Sequence, residues 1–260
     1  MYATERQQLI EHLVATEGRV AVVDLARRFG VTTETVRRDL DHLEAGGHIR
    51  RVHGGAVART KVSTAETSLA ERTQQRGDVK LAIAARALDA VGADDGGSIY
   101  IDAGTTTAAL AHLLVQRSTG IRPLEVVTHS MTIAHLLAGA PGIGLTAIGG
   151  RVRGLTAAAV GAQTVDAISR LRPDLAFIGT NGLSATFGLS TPDPDEAAVK
   201  RAIISAARRV VVLADADKFD AELLISFARL DDLDILATDA APGGELAERL
   251  EAADVEVWVA

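Results

Sequence analysis

The chain has 260 residues, of which 47% are apolar but only 3% aromatic, and its lack of cysteine excludes disulfides and thiolate metal sites. Ala, Val, Leu and Ile dominate the apolar set, which favours helices packed on a buried parallel sheet over an all-β sandwich. The first residues do not resemble a signal peptide, and no apolar run is long enough to span a bilayer. We therefore expect a cytoplasmic protein without membrane contact.

The net charge of −7 is unevenly distributed along the chain. Residues 1–61 carry ten Lys or Arg and eight Asp or Glu, a net charge of +2, which leaves −9 for the rest. Such a split indicates a small module that contacts a polyanion, joined to an acidic globular body.

The first sixty residues predict three helices joined by short turns. Apolar residues recur at helical spacing, and Gly30 with Val31 forms a tight turn between the second and third helices. Two short helices joined by a glycine-bearing turn describe a helix-turn-helix. The predicted helices are Thr4–Thr16, Val22–Phe29 and a third that is capped by Thr32 or Thr33 and runs through Glu44.

The third helix has a polar outer face, which would enter the major groove of DNA if this is a helix-turn-helix. Arg38 points most directly away from the apolar stripe and is the best candidate for reading bases, whereas Arg37 and the threonines suit phosphate contacts. The alternative is a solvated face in which either arginine pairs with Glu34 or Asp41. The candidate DNA contacts on this face are Thr33, Thr35, Arg37, Arg38 and His42.

The segment from His48 to Val57 predicts a β-hairpin that turns at or near Gly54 and Gly55. Arg50, Arg51 and His53 would lie along the DNA backbone or in a minor groove, as the wing of a winged helix. The alternative for His53 is that it is an ordinary surface histidine without a DNA contact.

These residues carry a resemblance to a known family. The run VDLARRFGVTTETVRRDL at residues 23–40, followed by RVHGGAV at residues 51–57, resembles the winged helix-turn-helix of DeoR-family bacterial transcription regulators. The resemblance implies sequence-specific binding to double-stranded operator DNA.

The rest of the chain alternates predicted strands and helices at a spacing that indicates an α/β fold with a mainly parallel sheet. We expect the domains to be residues 1–57 (winged helix-turn-helix), 58–77 (linker with a connecting helix) and 78–260 (the α/β body). A short hairpin is expected at Arg151–Thr156 and a long loop at Thr180–Pro194. The predicted strands are Ser98–Ile101, Leu124–Thr128, Gly144–Ile148, Leu175–Gly179, Val210–Ala214, Ile235–Thr238 and Val255–Val259. The predicted helices are Asp78–Val91, Thr105–Leu114, His129–Ala138, Gly161–Leu171, Asp195–Ala207 and Gly243–Ala252.

The first strand of the body leads into a candidate anion site. Asp102 follows the strand, Gly104 allows a turn, and Thr105, Thr106 and Thr107 open a helix. Unpaired amides and a partial positive charge at a helix start, together with hydroxyl groups, suit a phosphate. The alternative is that Thr105 merely caps the helix.

Other predicted strand ends carry compatible polar groups, and ligands of open α/β sheets bind beyond the carboxyl ends of the strands. Glu196 and Lys200, four residues apart, share a helix face. Each candidate has a plainer alternative, such as a surface ion pair, a turn cap or a solvated lysine. The further candidates are Thr128, His129, Ser130, Gly150, Arg153, Gly179, Asn181, Gly182, Glu196, Lys200, Asp215 and Lys218.

The body also resembles the sugar-phosphate-sensing domain of the DeoR family. Matching runs include DAGTT at residues 102–106, FIGTNG at 177–182, GLST at 188–191 and VLAD at 212–215, whereas His129 stands where the family usually has asparagine. The resemblance implies a fold similar to sugar-phosphate isomerases, kept for binding. Similarity to the fructose-operon repressor subgroup implies fructose 1-phosphate or a related fructose phosphate as the effector.

We therefore expect a DNA-binding repressor of a sugar-metabolism operon that is controlled by a phosphorylated sugar and assembles as a homodimer or homotetramer. It needs no cofactor and no metal ion. The alternative is an isomerase- or deaminase-like enzyme with an appended DNA-binding module, in which Glu196 or Asp102 would be the general base.

Overall fold

The computed structural model describes residues 2–17, 19–46, 49–52, 54–58, 64, 66, 68–92, 97–117 and 123–260. The chain divides into two compact units, Met1–Val62 and Ser63–Ala260.

The described residues of unit 1 form three helices and a small antiparallel sheet, so the winged helix-turn-helix prediction is confirmed. The predicted hairpin turns between Val52 and Gly55, which are paired. Sequence reasoning missed the three-residue strand Arg19–Ala21, which pairs with the second strand of the hairpin, Gly55–Ala58. The elements of unit 1 are α1 (Ala3–Glu17), β1 (Arg19–Ala21), α2 (Val22–Phe29), α3 (Thr33–Ala45), β2 (Ile49–Val52) and β3 (Gly55–Ala58).

The start of α3 is fixed by its turn and its cap. Gly30 has a φ of +64°, a left-handed conformation that glycine adopts without steric strain. Thr32 is the N-cap, and its side chain accepts a hydrogen bond from the Thr35 amide. Val36 and Leu40 of α3 are fully buried in the core of the unit. The predicted apolar stripe therefore faces inward and leaves the opposite face of α3 to solvent.

An ion pair also holds α3 in place. Arg6 on α1 and Asp39 on α3 are both buried, and Arg6 donates to both carboxylate oxygens of Asp39, at 2.6 Å from Nε and 3.1 Å from Nη2. Gln7 adds a third hydrogen bond to the same carboxylate at 3.0 Å. Two fork-like bonds fix orientation as well as distance, so this pair sets the position of α3 relative to α1.

Among the described residues of unit 2, seven strands form a parallel sheet, which confirms the α/β prediction. Its strands are β4 (Gly97–Ile101), β5 (Leu124–Thr128), β6 (Ile143–Ala147), β9 (Leu175–Gly179), β12 (Arg209–Leu213), β14 (Ile235–Thr238) and β15 (Glu256–Val259). Their order in the sheet is β15-β14-β12-β9-β4-β5-β6. The helices of the unit are α4 (Leu69–Gln74), α5 (Gly77–Ala87), α6 (Thr105–Arg117), α7 (Met131–Leu137), α8 (Ala162–Ser169), α9 (Pro194–Ala206) and α10 (Gly244–Ala252).

The sheet has a separate apolar core on each face. Tyr100, Ile178 and Val212 belong to one core, whereas Ile101, Phe177 and Val211 belong to the other. Neighbouring residues of one strand thus point to opposite faces, and helices cover both faces. This arrangement explains why the central strands are apolar without alternation.

Two smaller sheets differ from the predictions. The hairpin expected at Arg151–Thr156 extends to Val160, as β7 (Arg151–Arg153) and β8 (Ala158–Val160). The prediction of a loop at Thr180–Pro194 is wrong, because this segment contains β10 (Gly182–Ser184) and β11 (Gly188–Thr191). These two strands pair with each other, and β11 also pairs with β13 (Ile225–Ala228), in an antiparallel sheet. These strands are short and rich in glycine and hydroxyl residues, so they lack an apolar strand pattern.

Candidate functional site

A cavity lies at the carboxyl edge of the large sheet, where the sequence places its candidate ligand residues. It is lined by residues that follow β4, β5, β9 and β12 and by two residues of α9. The predicted residues that the structure brings together here are Asp102, Gly104, Thr105, Thr106, Thr107, His129, Gly179, Asn181, Glu196, Lys200, Asp215 and Lys218.

The front of α6 forms one wall of this cavity. Gly104, Thr105 and Thr106 are partly exposed, whereas Thr107 is buried and its hydroxyl donates to the Gly104 carbonyl at 3.1 Å. The Ala108 amide donates to the same carbonyl at 3.0 Å and closes the first turn. Since the first amides of a helix have no partner within the helix, those at this end are available to an anion in the cavity.

A buried ion pair forms the floor of the cavity. Asp102 and Lys200 are both buried, and the Lys200 ammonium donates to Asp102 Oδ2 and, at 2.9 Å, to the Gly179 carbonyl. The Gly179 amide donates to the same Asp102 oxygen at 3.0 Å. The ends of β4 and β9 and the helix α9 are therefore joined at one carboxylate, which gives the floor a fixed shape.

His129 lies beside this pair and is also buried. Its Nδ1 is 3.1 Å from the Tyr100 hydroxyl, and its Nε2 is 3.7 Å from Asp102 Oδ1. Burial lowers the pKa of His129 to about 4, although the nearby Asp102 charge acts in the opposite direction. The imidazole is therefore neutral at neutral pH.

Glu196 and Lys200 are both buried, so their shared helix face is turned inward and is not a surface ion pair. Glu196 Oε1 accepts from the Thr156 hydroxyl at 2.6 Å and from Arg153 at 3.1 Å. Burial raises the pKa of Glu196, and the nearby Lys200 charge opposes this shift.

Five predicted ligand residues lie outside the cavity lining, and their contacts are structural. Thr128 is buried and donates to the Ile101 carbonyl at 2.7 Å, and Ser130 caps α7, which begins two residues later than predicted. Gly150 packs so tightly on Thr164 that a Cβ would lie 2.1 Å from its hydroxyl, and Gly182 packs on the Ala221 carbonyl. The fifth residue is Arg153.

Arg153 binds carboxylates of its own chain. It pairs with Glu66 at 2.6 Å, Asp193 at 3.0 Å and Glu196 at 3.1 Å. Glu66 lies in the predicted linker, and its side chain is only 5% exposed. Arg153 therefore fastens the linker to the wall of the cavity.

Sequence reasoning missed the cations that the connecting segment brings to the cavity. Arg72, Arg76 and Lys80 line it together with Gln75. Arg76 pairs with Asp215, Asp217 and Asp239, at 3.2, 2.8 and 2.6 Å. Their spacing of four residues gives no usable signal, because α4 ends at Gln74 and Arg76 lies between α4 and α5 with a φ of +52°.

The predicted DNA-contacting face of α3 is accessible. The Arg38 side chain is 80% exposed and the Arg37 side chain 56% exposed, and each lies within 3.7 Å of Glu34. Thr33 and His42 are exposed, and Thr35 is half-buried against Thr32. The pairing with Glu34 matches the alternative drawn from the sequence, but it is a loose contact between exposed groups that DNA phosphates can replace.

In the wing, Arg51 contacts α3 of its own unit. Its Nη1 donates to the Asp41 carboxylate and, at 3.2 Å, to the Arg37 carbonyl. Arg50 pairs with Val57 in the hairpin, but its side chain, like the whole of His53, lies outside the described residues.

The described residues include neither a membrane-spanning helix nor a cluster of metal ligands. None of their helices is long and apolar enough to cross a bilayer. Their His, Asp and Glu side chains form no cluster of three or more that would hold a metal ion.

Comparison with known proteins gives matches over nearly the whole chain. Residues 6–62 match the DeoR-like helix-turn-helix domain, and residues 75–240 match the DeoR C terminal sensor domain. Among solved structures, ribose 5-phosphate isomerase A from Methanocaldococcus jannaschii is similar over 56% of this chain and 55% of its own, at 19% identity and a TM-score of 0.40.

Three curated relatives align over most of their own length. The HTH-type transcriptional regulator GlpR of Haloferax volcanii is 35% identical over 99% of this chain and 98% of its own. The uncharacterized HTH-type transcriptional regulator FruR of Bacillus subtilis is 34% identical over 92% of both chains, and the glycerol-3-phosphate regulon repressor of Escherichia coli K12 is 31% identical over 93% of both. The chain therefore belongs to the DeoR family of transcription regulators.

Proposed function

We propose that the chain is a cytoplasmic repressor of a sugar-metabolism operon, and that a phosphorylated sugar bound in front of α6 controls its binding to operator DNA. The observation that carries the proposal is the cavity lined by the free front of α6, the buried Asp102–Lys200 pair and Asn181. In the proposed arrangement, residues 1–57 read DNA, residues 58–77 connect, and residues 78–260 bind the effector.

The cavity offers separate groups for the two parts of such a ligand. The amides at the front of α6 suit the phosphate, which needs donors and a positive potential. Asn181 suits the sugar hydroxyls, because its amide both donates and accepts hydrogen bonds. Fructose 1-phosphate is the effector we propose, on the resemblance to the fructose-operon subgroup and the similarity to FruR.

A regulator is favoured over the isomerase or deaminase alternative. The relatives that align over most of this chain are named transcriptional regulators and repressors. Both candidate bases are also engaged, since Asp102 is paired with Lys200 and Glu196 with Arg153. Proton uptake by either carboxylate would compete with its ion pair.

Repression would follow from two copies of α3 on two half-sites, in a homodimer or a homotetramer. Arg38 is the proposed base-reading residue, with Thr33, Thr35, Arg37 and His42 beside it. An effector changes the operator affinity only by as much as it favours one conformation of the assembly over another.

The test is operator binding by Arg38→Ala, measured by fluorescence anisotropy on a duplex that this protein selects from a random pool. We expect a loss of about 5- to 150-fold, the value of one bidentate base contact. Arg170→Ala is the matched control, because Arg170 is similarly exposed, at 76%, and also pairs with a carboxylate one helical turn away. Equal affinity of the Arg38 variant and the control would refute the assignment of α3 as the reading helix.

A further inference from the structure

The cations around the cavity differ in how completely the protein neutralises them. Lys200 is paired with Asp102, and Arg76 is surrounded by three aspartates. Lys80 donates to the carbonyls of Arg72 and Gln75. None of the ion pairs formed among the described residues includes Arg72, and its buried Nε has no hydrogen-bond partner among them.

An unpartnered buried guanidinium nitrogen is costly, because it has lost its water without gaining an acceptor. The neighbouring charges add to this cost. Burial lowers the pKa of Lys80, and the positive charges of Lys218, Arg72 and Arg76 lower it further, against a single opposing aspartate. An added anion would stabilise this region, because it would offset the repulsion among the cations and give Arg72 Nε an acceptor.

The local structure holds Arg72 at this position. It lies on α4, whose amino end is closed by a capping box between Ser68 and Glu71. The Leu69 amide donates to the Leu155 carbonyl at 3.1 Å, and Lys80 binds the carbonyl of Arg72 itself. The helix α4 also packs against α6, the helix whose front forms the anion site.

We propose that Arg72 is a ligand of the anionic group of the effector and completes the site from the side of the connecting segment. The inference rests on the proposed function, because it assigns a further residue to the same cavity. The anion then binds α6 on one side and α4 on the other. Since α4 is the helix closest in sequence to the DNA-binding unit, the occupied site holds the connecting segment directly.

The role of Arg72 differs from that of Arg76. Three carboxylates already hold Arg76, so an anion would have to displace them to reach it. Among the described residues, Arg72 forms no ion pair that an anion would have to break. Its planar fork also matches two phosphate oxygens, whereas the ammonium of a lysine offers a single point of charge.

The test is calorimetric binding of fructose 1-phosphate, fructose 6-phosphate, glycerol 3-phosphate and inorganic phosphate to the full chain and to Arg72→Ala, Arg72→Lys and Arg170→Ala. We first identify the phosphate ester that the original chain binds most tightly. We expect Arg72→Ala to lower the affinity for this ester by about 10- to 100-fold, and Arg72→Lys to recover part of that loss. The melting temperature without ligand should not fall and should rise slightly, because Arg72→Ala breaks no side-chain bond among the described residues and removes an unpartnered buried donor.

Two results would overturn the inference. If Arg72→Ala and Arg170→Ala bind the best ester with the affinity of the original chain, Arg72 is not a ligand, although the proposed site in front of α6 stands. If the original chain binds none of these phosphates, the proposed function fails and the inference fails with it.

Discussion

The buried neutral His129 makes the stability of unit 2 depend on pH, and the size of the effect follows from its environment. The histidine is 3% exposed, and its pKa falls from 6.5 to about 4 on folding. Below pH 6.5 the unfolded chain therefore binds a proton that the folded chain cannot. The resulting loss of stability is absent at pH 7.5, develops as the pH falls, and is complete below pH 4.

At pH 5 these two pKa values correspond to a loss of about 2 kcal/mol in the free energy of unfolding. The variant His129→Asn lacks the titrating group, so it should lose about 2 kcal/mol less than the original chain between pH 7.5 and pH 5. Glu196 and other carboxylates also titrate, but they are common to both proteins and cancel in the difference.

The assay is urea unfolding at both pH values, followed by the fluorescence of Trp258, the single tryptophan, which lies in β15 of unit 2. The control is His135→Asn, at an exposed histidine on α7. If the pH dependence of His129→Asn equals that of the original chain and of the control, the histidine does not carry a proton-linked penalty and the description of the cavity floor is wrong.

Two further predictions concern buried ion pairs. Arg6→Met should destabilise unit 1 by about 3–5 kcal/mol, because Asp39 remains buried without its partner, and the double variant Arg6→Met, Asp39→Leu should regain most of that loss in circular-dichroism unfolding. A single variant as stable as the original chain would refute the positioning role of this pair. Arg153→Ala should lower the melting temperature of unit 2 more at pH 8 than at pH 5, since burial raises the pKa of Glu196, which is left charged without its partner at the higher pH and takes up a proton more readily at the lower one. Equal losses at the two pH values would contradict the pairing of Arg153 with the buried Glu196.

The large elements of the fold were predictable from local patterns. Val22–Phe29, Leu124–Thr128, Leu175–Gly179 and Ile235–Thr238 occupy the residues expected from the sequence, because helical periodicity or a short apolar run between turn residues marks them clearly. The strand Ile225–Ala228 was missed, although it lies in the mostly apolar run LLISFA at residues 223–228. Such strands are stabilised by tertiary pairing, which a local pattern does not contain.

The candidate cavity was predictable to the extent that it follows from sheet geometry. Parallel strands place their carboxyl ends at one edge, so Asp102, His129 and Gly179 could be grouped without a structure. Distances within that edge could not be obtained in this way. Ser130 therefore proved to be a helix cap, and Arg153 a partner of Glu66.

The position of the connecting-segment cations at the cavity could not be predicted from the sequence, for a different reason. Arg72 and Lys80 precede the first strand of the large sheet, and the strand-end rule applies only to residues that follow a strand. Their place at the cavity depends on the path of the segment, which Arg76 and Glu66 fix through ion pairs with residues far along the chain.

The central claim is that an anion in front of α6 controls DNA binding, and Thr105→Glu tests it most directly. A carboxylate at the first turn of a helix is favourable for the helix and occupies the anion site with the protein's own charge. Thr105→Gln is the matched control, with the same side-chain size and no charge.

The measurement is operator affinity by fluorescence anisotropy for both variants, with and without fructose 1-phosphate and the other phosphate esters. We predict that Thr105→Glu binds the operator but no longer changes its affinity when an ester is added, whereas Thr105→Gln keeps a response. A Thr105→Glu protein that responds to the ester as strongly as the original chain would contradict the account.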